Sequence, residues 1–484
     1  MKTQSRAAII VLLLTNAAAH VDAIGGVDAP PPASAPRPFN FTQPKETKLE
    51  NGLRVIVAER PELPLLAAEL VVRNGAEIDP PNLAGTASMT GSLLTKGTES
   101  MSAPQIASAI ESLGGQISSG AGWDSSTASI VVMSDYGDTA LTILADVVQY
   151  PIFKQEEIDR LRKQRLDSLR VALQQPGSLA DFVEDRVVFG SSEYGHSASG
   201  TLETLQAIQR DDIVKFYQSC YGPSNSALVL VGNVTLEQGK TSAQKFFGNW
   251  KSSAAGERKA APGGSEWKTQ DVVIDMPQAG QSAVMVSKPA IKRDSPDYYS
   301  GLVANAALGN GFVSRLNREI RIKRGLSYGV RSSLEARRDA GSFSASAQTK
   351  NESAAEVAKL IMNELARMAT EPVAGEELKS RQAILTGSYA RGLETDEGFA
   401  GNLASLATFN LPLDRLNAFI PKINAVTTQD VAAFVTKYLA PKPSLIVVGK
   451  TPAFLDPLKK DFPNLRVIGQ SDLDLNRPEL IKQK

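Results

Sequence analysis

The chain offers few residues for chemistry. Its 484 residues include one cysteine, Cys220, and two histidines, His20 and His196. His20 lies in a segment read below as removed on export. One remaining imidazole cannot supply a histidine pair to a metal, and Cys220 reads as a small buried hydrophobe with no disulfide partner. Two stretches carry polar side chains at spacings that matter. Ser88 and Ser92 lie in Gly85-Thr-Ala-Ser-Met-Thr-Gly-Ser-Leu-Leu-Thr-Lys-Gly-Thr98, which reads as a helix ending at Gly97. A serine nucleophile needs an adjacent base, and neither serine has an evident His or Lys partner. Further on, Arg315, Arg318, Arg321, Lys323 and Arg324 make a basic helix end that complements its own dipole. Gly325 breaks that helix and Tyr328 opens the next strand, so the turn can bring Arg321 and Tyr328 together at a sheet edge. Gly309-x-Gly311 before the helix reads as a turn between helices, because a phosphate loop needs more than Gly-x-Gly.

The elements that must position these residues form an α+β pattern. Asn51-Gly52 sits between Thr47–Leu49 and Leu53–Val57 as a hairpin turn. Leu65–Val72 is a second strand, and Asp79-Pro80-Pro81-Asn82 is a turn ahead of the Gly85–Gly97 helix. Ser102 with Gln105 makes a capping box for a helix closed by Gly114-Gly115. Residues 127–133 are strand-like, the apolar stripe Leu141, Leu144, Val148 is helical, and 156–173 is a longer charged amphipathic helix. The second half has helices over 295–308, 314–323, 354–370 and 375–390, with strands near 328–334 and 342–348.

The two halves end alike. Asp212-Ile-Val-Lys-Phe216, Pro223 and Ala227–Gly232 are matched by Asp430-Val-Ala-Ala-Phe434, Pro441 and Leu445–Gly449, at an offset of 218 that slips to 217 at the glycine. A helix, a turn and a buried strand recurring at nearly fixed spacing indicate an internal duplication. The Ala-, Gly- and Pro-rich stretch 251–268 between the halves reads as a linker. The expected organisation is an N-terminal domain over 45–250 and a C-terminal domain over 269–472. Each is a mostly antiparallel sheet backed by helices, and the two face each other as a clamshell.

Composition excludes several function classes. Lys and Arg total 52 and Asp and Glu total 52, so there is no basic stripe of the kind that binds nucleic acid. Lys2 and Arg6 precede an apolar run, Ala7–Ala19, too short to span a bilayer and suited to a secretory signal over 1–23. Pro- and Ala-rich residues then read as a flexible leader over 24–44. Export with no possible internal disulfide suits a periplasmic protein of a Gram-negative bacterium.

Taken together, the Asn51-Gly52-Leu53 hairpin, Arg73-Asn74-Gly75-Ala76, the Gly85–Thr98 segment with Lys96-Gly97-Thr98, and the duplication resemble the pitrilysin/insulinase-type zinc peptidases. Within them the similarity is to the mitochondrial-processing-peptidase-like branch. It covers residues 45–470. In that family this frame carries the inverted zinc motif His-x-x-Glu-His. Here the three positions are Ser88, Gly91 and Ser92. The family's third ligand, a downstream glutamate, falls near Ser168, with Asp167 as the neighbour to watch. Zinc hydrolysis needs about three N/O protein ligands and a base, so the resemblance implies a chain that binds no metal. The family also projects an arginine, and a tyrosine seven residues later, from the C-terminal half towards the zinc. That pattern falls on Arg321 and Tyr328, which would hold substrate and stabilise the oxyanion.

The resemblance therefore implies a non-catalytic subunit of a heteromeric zinc metallopeptidase. It would be inactive alone and would supply Arg321 and Tyr328 to a homologous zinc-bearing partner acting on an extended or unfolded peptide. The competing expectation is a scaffold or peptide-binding homologue with no share in catalysis. A self-sufficient enzyme of new chemistry has no residue constellation to support it.

Overall fold

The computed structural model describes residues 41–251 and 267–483. The expected signal segment 1–23, most of the leader 24–44 and nearly all of the linker 251–268 lie outside the described residues. The last leader residues are docked. The Phe41 ring meets Tyr389 and Phe399 edge-on at 6.3 and 6.4 Å, and Gln43 Oε1 accepts from Asn417 Nδ2 at 2.8 Å.

Alternating and fully apolar runs build two six-stranded sheets. The first is formed by β1 (Lys45–Lys48), β2 (Arg54–Glu59), β3 (Leu65–Val72), β4 (Gln116–Ala121), β5 (Ser126–Met133) and β6 (Ser226–Gly232) in the order β1-β2-β6-β3-β5-β4. The second is formed by β7 (Val272–Asp275), β8 (Ser282–Pro289), β9 (Val330–Ala336), β10 (Gly341–Thr349), β11 (Ser444–Gly449) and β12 (Arg466–Gly469) in the order β12-β7-β11-β8-β10-β9. Strand for strand, β2, β6, β3, β5 and β4 correspond to β7, β11, β8, β10 and β9. The parallel pairs β2–β6 and β7–β11 and the antiparallel remainder are conserved between the halves. Only the outer strand differs, being antiparallel β1 in one sheet and parallel β12 in the other. The 218-residue offset seen in the sequence is thus a repeat of one fold. Even the capping is repeated, since Asp212 and Asp430 each accept the N–H three residues back, of Gln209 and Thr427, at 2.8 Å.

The two lobes do not close separately. Each sheet has its own helices on one face, but its other face is covered by a helix of the opposite half. Pro176–Phe189, from the first half, lays Leu179, Ala180, Val183 and Val187 on β8 and β11. Asp396–Thr408, from the second half, lays Phe399, Ala400, Leu403 and Ala407 on β3 and β6. Coverage on both faces explains why every residue of β6 and β11 is buried, and why both read as continuous apolar runs. Arg338 adds polar stitching. Its guanidinium binds Glu77 Oε1 at 3.1 Å and the carbonyls of Arg73, Asp124 and Thr408 at 2.7–3.2 Å. Residues 470–483 then run back over the first half, where Arg186 donates to the carbonyls of Leu475 and Asn476.

The exchanged helix gives a direct test. Leu403 is fully buried, and truncating a buried leucine costs about 2–5 kcal/mol. Leu403→Ala is expected to reduce hydrogen-exchange protection in β3 (Leu65–Val72) and β6 (Ser226–Gly232), both in the other half of the chain. Protection lost only in the second half would contradict this coupling.

Candidate functional site

The segment that the resemblance assigns to a metal forms a helix that ends at Leu93, short of the expected Gly97, and continues as a 3-10 turn over Leu94–Lys96. After β3, a turn at Gly75 leads to Asp79, whose carboxylate accepts from Gly85 N at 2.7 Å and Ala87 N at 2.8 Å and so fixes the helix Thr86–Leu93. Gly85, at φ 97°, turns the chain into that helix. Ala87, Met89 and Leu93 enter the core. Ser88 and Ser92, one turn apart on another face, look towards the helix Gln155–Ala172.

Between them lies Arg165. Its Nη1 donates to Ser88 Oγ at 2.8 Å, and its Nη2 donates to Ser88 O at 2.9 Å and to Ser92 Oγ at 2.7 Å. A guanidinium therefore joins the two positions where imidazoles would converge on zinc. Among the described residues no carboxylate pairs with it, and burial pushes its pKa down. Gly91 is buried with no room for a side chain. A Cβ there would sit 2.5 Å from the carbonyl carbon and 2.7 Å from the oxygen of Gly120 in β4. Asp167 turns outward to Lys163 at 2.9 Å and Arg170 at 2.7 Å, and Ser168 stays on the Arg165 side. The residues present do not fit a zinc ion. Their donors are hydroxyls, the place of the base is filled by backbone, and a fixed positive charge stands where the cation would go.

His196 lies elsewhere, packed 5.2 Å from the Trp123 ring with Nδ1 3.2 Å from Ser197 O. Burial holds its pKa below the usual imidazole value. Cys220 is buried and its thiol is pushed up to about 12 by burial, so it forms no thiolate nucleophile at neutral pH.

The second cluster is differently placed. The expected helix 314–323 is a π-helical turn over Asn317–Ile322, with Lys323 N bonded to Arg318 O at 3.0 Å. Asn317, the first residue of the turn, ties it to β9. Its side chain imitates a strand partner, donating to Val330 O at 2.6 Å and accepting from Val330 N at 3.0 Å while also reaching Gly311 O. Such bulges re-aim the side chains that follow them. Arg315 is tied to Glu377, and Lys323 and Arg324 are tied to Glu319. The Arg321 side chain makes no hydrogen bond or ion pair with any described residue. Its guanidinium lies between the Phe312 ring, 4.6 Å away, and the Tyr328 ring, 4.7 Å away.

Tyr328 is 90% exposed and sits two residues before β9 rather than opening it, because β9 starts at Val330. The pair borders a cleft of about 510 Å³ with Asp181, Arg331 and Gln348. That cleft shares no lining residue with the one beside Ser88, Arg165 and Ser168. This chain brings Arg321 and Tyr328 together, and neither lines the cleft beside Ser88, Arg165 and Ser168.

Phe312 escaped the sequence reading, although an aromatic residue directly after a glycine turn was a usable signal. The glycines themselves are structural. A Cβ at Gly309 would meet Ser332 N at 2.5 Å, and Gly311 adopts φ 110°.

A third feature lies where the halves meet. Glu69 on β3 borders a cavity of about 450 Å³, and its pKa is raised to about 7 by burial and by Glu397 on the exchanged helix. Between the unfolded value near 4.5 and the folded value near 7, the native state holds a proton that the unfolded state has lost. Stability therefore falls as pH rises across that window. Glu69→Gln is expected to flatten this decline and raise Tm at pH 8. An unchanged pH–Tm profile would contradict it.

Known proteins of one family share this fold. Residues 54–188 match the family model described as insulinase, peptidase family M16, and residues 207–385 match the model described as peptidase M16 inactive domain. An uncharacterized zinc protease of Streptomyces coelicolor is 26% identical over 84% of this chain and 89% of its own. One from Rickettsia bellii is 28% identical over 69% of this chain and 80% of its own. Among solved structures, a peptidase M16 inactive domain from Pseudomonas fluorescens superposes with a TM-score of 0.79 at 27% identity, covering 84% of this chain and 98% of that one. A protease from Helicobacter pylori shares the fold at a TM-score of 0.78 and 19% identity, over 84% and 100% of the two chains.

Proposed function

The chain belongs to the insulinase-type peptidase family M16, and from that premise we propose that it is the zinc-less subunit of a heteromeric metallopeptidase. A homologous partner carries the metal, and this chain brings Arg321 and Tyr328 to the partner's active site. One contrast carries the reading. The metal frame is closed by Arg165, whereas the Arg321 guanidinium lies between two aromatic rings with its donors unused among the described residues.

In the complex the Arg321 N–H groups and the Tyr328 hydroxyl donate to the substrate carbonyl and to the oxyanion of the tetrahedral intermediate. Donors held in place beforehand need little reorganisation as charge develops. The partner's metal supplies the activated water. The substrate is an extended or unfolded peptide that adds a strand to a sheet edge, mostly on the metal-bearing subunit. The signal-like N-terminus and the single cysteine support a periplasmic location in a Gram-negative bacterium for this heterodimer subunit. The halves 45–250 and 269–472 are its two peptidase-like domains.

The test mixes this chain with a homologue bearing an intact His-x-x-Glu-His and follows peptide hydrolysis. Neither chain alone is expected to turn over substrate at the rate of the pair. Full activity of the zinc-bearing chain by itself would sink the proposal and leave a scaffold role.

A further inference from the structure

We infer that the cleft between the helices Thr86–Leu93 and Gln155–Ala172 is a binding site for a carboxylate group, anchored by Arg165. The loss of the metal site has inverted its electrostatics. A zinc site gathers anionic or lone-pair donors around a cation, whereas this cleft presents a cation and no acid among its lining residues. It encloses about 430 Å³, with Ser88, Gln164, Ser168 and Ser199 as its polar lining and Leu161 and Phe182 among its apolar walls.

The arginine is only partly used. A guanidinium has five N–H donors, and here three go to neutral oxygens of Ser88 and Ser92. The carboxylates nearest along its helix are committed outward, Asp167 to Lys163 and Arg170 and Asp159 to Arg162. A half-buried charge without a counter-ion is costly, and an entering anion would offset that cost. Serine 88 accepts from Arg165, so its own hydroxyl hydrogen is free to donate to a ligand oxygen. One guanidinium with no second cation suits a monoanion better than a phosphate dianion. The apolar walls suit an aliphatic body behind it. The chemistry is that of a small monocarboxylate or of a peptide chain end.

This inference does not depend on a zinc-bearing partner, and its test uses the full mature chain alone. Acetyl-Ala-Leu as the free acid, the same peptide as the amide, and sodium acetate are titrated by calorimetry. The free acid is expected to bind at least tenfold more tightly than the amide, and Arg165→Met is expected to abolish that preference. Ser168→Asp provides a second variant, because it places a competing carboxylate beside Arg165 from an exposed position and should abolish the preference with Arg165 intact. Acetate binding as tightly as the peptide acid identifies a small carboxylate as the ligand, and weaker acetate binding identifies a chain end. Equal affinity of the wild type for acid and amide, or an acid preference that survives both substitutions, would overturn the inference.

Discussion

In the complex with a zinc-bearing partner, Arg321→Ala is expected to lower kcat/KM by about 10²–10³-fold, the usual cost of one oxyanion donor. The expectation rests on how the side chain is held. The guanidinium lies 4.6 and 4.7 Å from the Phe312 and Tyr328 rings and makes no hydrogen bond or ion pair with the described residues. Alanine removes the donors and leaves both rings without the cation that orders them. Arg321→Lys keeps the charge but loses the planar fork and the stacking, so it should recover only part of the rate. Tyr328→Phe keeps the ring and deletes the hydroxyl, giving a smaller loss, on the order of tenfold or more. A fall in kcat at unchanged KM would mark a bond made mainly in the transition state. Because Tyr328 is 90% exposed, its substitution should leave Tm unchanged. Wild-type rates in Arg321→Ala and Tyr328→Phe would rule out a catalytic share and favour the scaffold role.

Restoring the lost motif should fail. Ser88→His, Gly91→Glu and Ser92→His together write the inverted zinc signature back into its frame, yet the purified triple variant is expected to hold far less than one equivalent of zinc and to be markedly less stable. A Cβ at position 91 would lie 2.5 Å from the backbone of Gly120, so a glutamate must push β4 away. Overpacking of this kind costs about 1–3 kcal/mol before the burial of a carboxylate is counted. Gly91→Ala alone isolates that steric share and should lower stability by a similar amount. Arg165 would also face the new imidazoles and repel a divalent ion. Deleting it does not rescue the site, because Ser168 is no metal ligand and Asp167 points to solvent. Elemental analysis and thermal denaturation check the result. Stoichiometric zinc in a stable triple variant would show that the metal site is merely unfilled chemistry rather than a remodelled one.

Periodicity and punctuation made much of this molecule readable before any coordinates. The capping box at Ser102, the helical segment whose last 3-10 turn stops at Gly97 and the charged helix from Gln155 follow from local chemistry that acts within a turn or two of chain. The duplication was readable because β6 and β11 are buried on both faces and keep uninterrupted apolar runs at a fixed offset. That Ser88, Gly91 and Ser92 carry no imidazole or carboxylate was readable too, since residue identity is the same in any conformation.

What closed the site was not local. Arg165 looked like one more cation on a charged helix, because nothing in a single sequence says that Ser88 and Ser92, more than 70 residues earlier, accept from it. The exchange of Pro176–Phe189 and Asp396–Thr408 between the sheets left no trace either, because an apolar stripe records that it is buried and not against which sheet. The π-turn that aims Arg321 depends on Asn317 finding Val330 across a turn, a pairing that helical periodicity does not encode. Identity and short-range geometry were thus determined by the order of residues alone. Which charge lies between Ser88 and Ser92, and which rings flank Arg321, were decided only when distant segments packed together.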